Sequence, residues 1–182
     1  MEFKVKSKLS DSRGLNRTIT RLAHEIIERC DGTDDLRIIG IRTRGVYLAE
    51  RIAKAIEKIE DKEIPVGILD VVMYRDDFRT KHKLPNVEVT DIPFNIDEKT
   101  LILVDDVIYT GRTIRAALDA LVDYGRASKI QLACLVDRGH REMPIKADYV
   151  GKNFPTANNE EIRVNMKECD NKDNILLVER TE

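Results

Sequence analysis

The run Leu101-Ile-Leu-Val-Asp-Asp-Val-Ile-Tyr-Thr-Gly-Arg-Thr113 sets two adjacent carboxylates, Asp105 and Asp106, shortly before a Thr-Gly-Arg-Thr turn. The apolar residues ahead of the acids read as a buried strand that delivers them at its carboxyl end. The apolar spacing after the turn reads as a helix. The first N–H groups of such a helix have no intrahelical partners and favour an anion. Gly111 lets that anion approach the backbone closely. Acids a few residues from a phosphate cradle suit a sugar phosphate, with Asp105 and Asp106 on ribose hydroxyls and the loop on the 5′-phosphate. A plain strand–turn–helix connection would account for paired acids but not for the whole run.

The elements that must position these residues alternate along the chain. A first helix is predicted from about Asp11 to Arg29, capped by Ser10 or Asp11, with Leu15, Ile19, Leu22 and Ile26 on one face. Leu36 to Ile41 reads as a short buried strand closed by Thr43-Arg44-Gly45. Val46 to Ile59 reads as a helix with Leu48, Ile52, Ala55, Ile56 and Ile59 inward. Ile64 to Tyr74 is β-rich and is expected to be the next strand. Arg75 to Lys99 is long and polar, with prolines at 85 and 93, and reads as a functional lid or a flexible excursion with room for a β-hairpin. A strand at Thr100–Val104 and a helix from Thr113 to about Tyr124 flank the acidic turn. The apolar face of that helix is Ile114, Ala117, Leu118, Leu121 and Val122, and Gly125 is its stop. Ile130 to Val136 is the next strand, ending in Asp137-Arg-Gly-His-Arg141, with short strands near 148–150, 162–164 and 175–178. Strands alternating with helices imply an α/β fold with a mostly parallel sheet covered on both faces. Ligands then bind at the carboxyl ends of the strands, where the turns at 43–45, 105–113 and 137–141 all fall.

At 182 residues the chain is expected to be one domain. Its net charge of −2 argues against a globally basic nucleic-acid binder, so any such site must be a local patch. Three scattered cysteines, Cys30, Cys134 and Cys169, have no metal-type spacing and fit a reducing cytoplasm. No stretch has the length of a signal peptide core or a membrane span.

Val104-Asp-Asp-Val-Ile-Tyr-Thr-Gly-Arg-Thr113 resembles the phosphoribosyl pyrophosphate (PRPP) motif of type I phosphoribosyltransferases. Thr20-Arg-Leu-Ala-His-Glu25, Gly40-Ile-Arg-Thr-Arg-Gly45 and Tyr74-Arg-Asp-Asp77 narrow the resemblance, as do Val136-Asp-Arg-Gly-His-Arg-Glu-Met-Pro144 and Ala147-Asp-Tyr-Val-Gly-Lys-Asn153. In this order, over nearly the whole length, they are similar to the bacterial pyrimidine-operon attenuation proteins that are also uracil phosphoribosyltransferases. The resemblance implies the type I phosphoribosyltransferase fold: a mostly parallel twisted sheet flanked by helices, with a small hood and a flexible loop at about 75–99. It implies conversion of uracil and PRPP to UMP and pyrophosphate, with Mg2+ accompanying PRPP. Asp105 and Asp106 would take the ribose hydroxyls, directly or through metal-bound water, and are the indirect metal residues. Tyr109, Thr110, Gly111, Arg112 and Thr113 would hold the 5′-phosphate. Thr43, Arg44 and Gly45 would form the pyrophosphate loop, with Arg44 the matching cation. Arg75 and Asp76 would make lid contacts, and Asp137 and Arg138 would line the base pocket. His140 is given no catalytic role.

A second signal lies on the first helix. At 100° per residue, Arg13, Arg17, Thr20, Arg21 and His24 cluster opposite its apolar face. Alone, such a stripe is a solvated helix face. The resemblance implies that Arg17, Thr20, Arg21 and His24, with Arg141, Lys146 and Lys152, bind a hairpin in the leader of pyrimidine-operon messenger RNA. UMP or UTP would respond at the nucleotide site, and the protein would form homodimers, tetramers or hexamers. Lys146 stands where the family more often carries arginine. The alternative is a purely metabolic phosphoribosyltransferase, for uracil or another base, without RNA control.

Overall fold

The computed structural model describes residues 2–30, 32–76 and 89–181. The chain runs through β1 (Glu2–Ser10), α1 (Ser12–Cys30), β2 (Leu36–Ile41), α2 (Arg44–Glu60) and β3 (Val66–Leu69). It continues through β4 (Thr100–Ile108), α3 (Arg112–Leu121), β5 (Lys129–Asp137) and β6 (Tyr149–Asn153), and then β7 (Glu160–Asn165), α4 (Lys167–Asp170) and β8 (Asn174–Thr181). A five-stranded sheet has the order β3-β2-β4-β5-β6, and all its pairings are parallel. A smaller antiparallel sheet, β1-β8-β7, forms the hood.

The apolar run in β4 is buried because both faces of the parallel sheet are covered. Ile102 and Val104 pack with Ile38 of β2 against α1 and α2, while Leu101 and Leu103 pack with Ile39 and Ile41 against α3. Each such side chain removed from water contributes roughly 1.5–3 kcal/mol. Helix α1 buries Leu15, Ile19, Leu22 and Ile26, as its spacing requires. Its cap is Asp11, whose carboxylate accepts the Gly14 N–H at 2.8 Å. That bond holds the carboxyl below its ordinary range.

Several expectations are corrected. The strand expected over Ile64–Tyr74 stops at Leu69 and gives way to a 3-10 turn at Val72–Tyr74. Asp70 ends it: its carboxylate accepts the Val72 N–H at 2.8 Å, and its own N–H donates to Thr90 Oγ1 at 3.0 Å. Strand β4 runs on to Ile108, so the acids lie inside the strand rather than after it. Leu118, expected inside, is 37% exposed, and Val122 is 75% exposed. The buried side of α3 is centred on Ile114, Ala116, Ala117, Ala120 and Leu121, which leaves Leu118 at its edge. The backbone then tightens into a 3-10 turn at Val122–Tyr124 and rotates Val122 outward. Ile59, in the last turn of α2, is also exposed. Strand β1 is an addition to the sequence reading. Residues 77–88, which include Asp77 and Pro85 of the expected loop and any hairpin there, lie outside the described residues. Among the described residues no helix is long and apolar enough to cross a membrane.

Candidate active site at the sheet switch point

Strands β2 and β4 are neighbours, but β3 lies beyond one and β5 beyond the other. The chain therefore leaves their carboxyl ends in opposite directions and opens a crevice between them. Two glycines set its floor. A Cβ on Gly45 would sit 2.6 Å from the Val104 carbonyl oxygen, and one on Gly40 would sit 2.5 Å from Val46 Cα. Without those side chains, the start of α2 rests directly on β2 and β4. The Arg42–Thr43 peptide bond is cis, and exposed Thr43 makes no side-chain capping bond to α2. Arg44 and Asp106 then line one cleft of about 520 Å³, closed on the far side by β7 and α4 of the hood.

Asp105 is buried and Asp106 half-buried, and both are partly satisfied by backbone. Asp105 Oδ1 accepts the Asp106 N–H, and Asp106 Oδ1 accepts the Val107 N–H, each at 2.9 Å. Burial, reinforced by the charge of Asp106, pushes the Asp105 carboxyl well above the ordinary carboxylate range. Burial also raises Asp106, with the Arg44 guanidinium among the opposing influences. The pair holds negative charge that the protein does not fully neutralise, which favours hydroxyl donors or a cation brought by a ligand.

Gly111, at φ 92°, turns the chain from β4 into α3. It also faces Met143, whose Cβ would lie 3.0 Å from a Cβ placed there. The Thr110 carbonyl accepts the N–H groups of Glu142 and Met143 at 2.9 and 3.0 Å, so the loop after β5 braces the turn into α3. Arg75 donates to Thr113 Oγ1 at 3.0 Å, and Arg112 pairs with Asp76 at 2.5 Å and Glu142 at 2.7 Å. Arg75 and Asp76 are thus joined to Thr113 and Arg112 at the start of α3, with Asp76 itself exposed.

At the other end of the crevice, Arg138 is buried. It donates to Thr156 Oγ1 at 3.1 Å and to the Glu160 carbonyl at 2.7 Å, and its guanidinium lies 3.9 Å from the Tyr109 ring centroid. His140 Nε2 lies 2.6 Å from the Thr156 carbonyl oxygen, and its ring meets Tyr109 edge-on. Asp137 pairs with Arg141 at 2.5 Å. Arg141 also donates to the carbonyls of Tyr109 and Ile145, so its guanidinium organises this loop.

The basic stripe is present on α1, with Arg13, Arg17, Thr20, Arg21 and His24 exposed. Arg21 donates to the carbonyls of Val150 and Gly151 and pairs with Glu25. Helix α1 therefore lies along β6, whose Tyr149 and Gly151 face it, while Val150 and Lys152 alternate to the other side of the strand. Lys146 is exposed between Ile145 and Ala147, which pack on the opposite face of the sheet.

Hood residues at the cleft escaped the sequence reading. Glu161, Arg163 and Asn165 of β7 line it, and Asp170 of α4 grips Arg44 with contacts of 2.8 and 3.1 Å. These partners lie over a hundred residues from Arg44, and no local motif marks them.

Two acids, a glycine turn into α3 and the Arg44 loop stand at the carboxyl ends of β2 and β4. The model of the phosphoribosyl transferase domain matches residues 6–168. The hypoxanthine phosphoribosyltransferase of Trypanosoma cruzi shares the fold with a TM-score of 0.74 at 16% identity, covering 97% of this chain and 98% of its own. A hypoxanthine-guanine phosphoribosyltransferase of Bacillus anthracis gives 0.71 at 20% identity, covering 96% and 99%. In sequence, the chain is 54% identical over 177 residues to the "Bifunctional protein PyrR" of Pelotomaculum thermopropionicum, covering 97% of this chain and 98% of the relative. It is 52% identical to the protein of the same name in Bacillus mycoides, covering 96% and 98%. The chain belongs to the phosphoribosyltransferase family, in its PyrR branch.

Proposed function

We propose that the protein regulates transcription of pyrimidine biosynthesis genes by binding their leader RNA in response to UMP, and that it also makes UMP from uracil and PRPP. The observation that supports this best is the match to bifunctional PyrR proteins across nearly the full chain, joined to a site with every part such a reaction needs.

In the reaction, the bond from the anomeric carbon to pyrophosphate breaks as the bond to the uracil nitrogen forms, and positive charge builds on the ribose ring. The work is positioning and electrostatics, so no protein nucleophile is needed. Asp105 and Asp106 hold the ribose hydroxyls. Tyr109, Thr110, Gly111, Arg112 and Thr113 hold the 5′-phosphate. Thr43, Arg44 and Gly45 receive pyrophosphate, and Arg44 exchanges Asp170 for it. Arg75 and Asp76 cover the phosphate end, while Asp137 and Arg138 bound the base. Mg2+ suits this donor set. Among the described residues no three His, Cys, Asp or Glu side chains converge, so a cation would take Asp105 and Asp106, through water, and complete its shell from PRPP oxygens. When bound it would offset charge on the departing pyrophosphate.

RNA binding is assigned to Arg17, Thr20, Arg21, His24 and Lys152, with Arg141 and Lys146 from the loop between β5 and β6. Unpaired loop bases and nearby phosphates suit such a surface. UMP and RNA each favour the state that the other binds. Self-association into dimers or larger assemblies and a cytoplasmic location belong to the same reading; Cys30, Cys134 and Cys169 are free thiols.

The test is a gel shift with a pyrimidine-leader hairpin across a salt series, with and without UMP, beside an assay of UMP formation. UMP-dependent, salt-sensitive binding and turnover of uracil are expected. Turnover without RNA binding would leave a metabolic enzyme.

A further inference from the structure

Next to the stripe on α1 lies a second basic wall that the sequence reading did not use. Two shallow grooves meet at Asn16 and Thr20. One, of about 650 Å³, runs along Arg13 and Arg17 of α1. The other, of about 520 Å³, lies between α1 and α2 and is walled by Lys54 and Lys58. Among the described residues no carboxylate lines either groove, on a chain whose net charge is −2. Arg51 also borders the second groove, but it is held by Glu168 and Asp173 of the hood. Arg13, Arg17, Lys54 and Lys58 are exposed and form no ion pair among the described residues.

The spacing is regular. Arg13 and Arg17 are one helical turn apart, and so are Lys54 and Lys58, with about 5–6 Å between Cβ atoms in each pair. Two walls of single-sign charge flanking an open groove fit a nucleic-acid backbone, which is recognised through its phosphates independently of sequence. A protein partner would call for charge of both signs, whereas the charged lining here is all cationic and the apolar floor is made by Ile19, Ala55 and Ile59.

We infer that the α1–α2 groove is a track for the RNA stem: Lys54 and Lys58 hold phosphates of the duplex whose loop is read by Thr20, Arg21 and His24. This rests on the RNA-binding reading above and extends it to α2.

The experiment compares wild type, Arg21→Ala and the double variant Lys54→Ala/Lys58→Ala on a leader hairpin and on the same loop with its stem halved. Wild type and the double variant should convert uracil equally, since neither lysine lines the cleft. The double variant should bind the full hairpin about tenfold more weakly at physiological salt. The slope of log affinity against log salt should fall by about 1.8, as expected for two lost phosphate contacts on a duplex. On the halved stem it should match wild type, whereas Arg21→Ala should be weaker on both. Lys54→Arg/Lys58→Arg should retain binding. If wild type binds neither RNA, the RNA reading and this extension both fail. If Arg21→Ala weakens binding but the double variant keeps wild-type affinity and slope, only the stem track fails. Equal loss on both stems, or a changed oligomeric state with RNA affinity intact, would also overturn it.

Discussion

Arg44 and Asp170 face each other across the cleft, with the guanidinium Nε and a terminal nitrogen each donating to a carboxylate oxygen, at 3.1 and 2.8 Å. The cation proposed to receive pyrophosphate is thus already paired with a carboxylate of the hood.

Asp170→Asn should therefore tighten PRPP binding. A half-exposed pair of this kind is worth ~0.5–1 kcal/mol, so the KM for PRPP should fall about two- to fivefold with little change in kcat. Steady-state kinetics in PRPP check this. A raised KM would mean that Asp170 orients Arg44 instead of competing for it.

The same pair fixes a pH dependence. Arg44 holds the Asp170 carboxyl at about 2, below its value in an unfolded chain. A folded-state pKa that is depressed adds stability above the unfolded value, and that stability is lost as pH falls through the folded one. Guanidinium melts from pH 7 to pH 2 should show wild type more stable than Asp170→Asn above about pH 4. The two should converge toward pH 2. A gap that persists at the acid end would assign the difference to packing.

Asp105→Asn should abolish UMP formation and stabilise the fold. The carboxylate is buried beside a like charge, while the amide oxygen can still accept the Asp106 N–H. Removing about 1 kcal/mol of unfavourable burial would raise Tm by roughly 2–4 °C for a chain of this size. Calorimetry in metal-free buffer measures it. A lower Tm would show that the acid is better compensated than its surroundings indicate.

Gly45→Ala tests the seam between α2 and β4. The added methyl would meet the Val104 carbonyl, which cannot swing aside as a side chain can. Overpacking of this kind costs about 1–3 kcal/mol, and Arg44 would move with the helix start. A drop in Tm together with a KM for PRPP raised tenfold or more is expected. Wild-type values for both would remove the close approach from the account of the site.

The readable part of this protein is the part held by local pattern. Leu101 to Val104 is continuously apolar because the sheet is covered on both faces, and the turn after it must contain Gly111 to reach φ 92°. Those constraints act within a few residues, so they leave a trace in sequence. The hood does not leave one. Strand β1 has irregular register against β8, and Val5 within it is 55% exposed, so its alternation is weak. Asp170 meets Arg44 only through the fold. The end of β3 depended on Asp70 and Thr90, twenty residues apart. Arg141 carries the charge of an RNA contact, but Asp137 and nearby carbonyls engage its guanidinium, and spacing alone cannot separate those uses.

Arg138 crosses from the end of β5 to the hood and is stacked on Tyr109 along the way. It acts as a rivet. The hood cannot rock away from the sheet without pulling a buried guanidinium, backed by the Tyr109 ring on the sheet side, off the Glu160 carbonyl. The width of the slot beside Tyr109 is therefore set when the chain folds, and the base proposed to enter there would meet a gauge already cut to size.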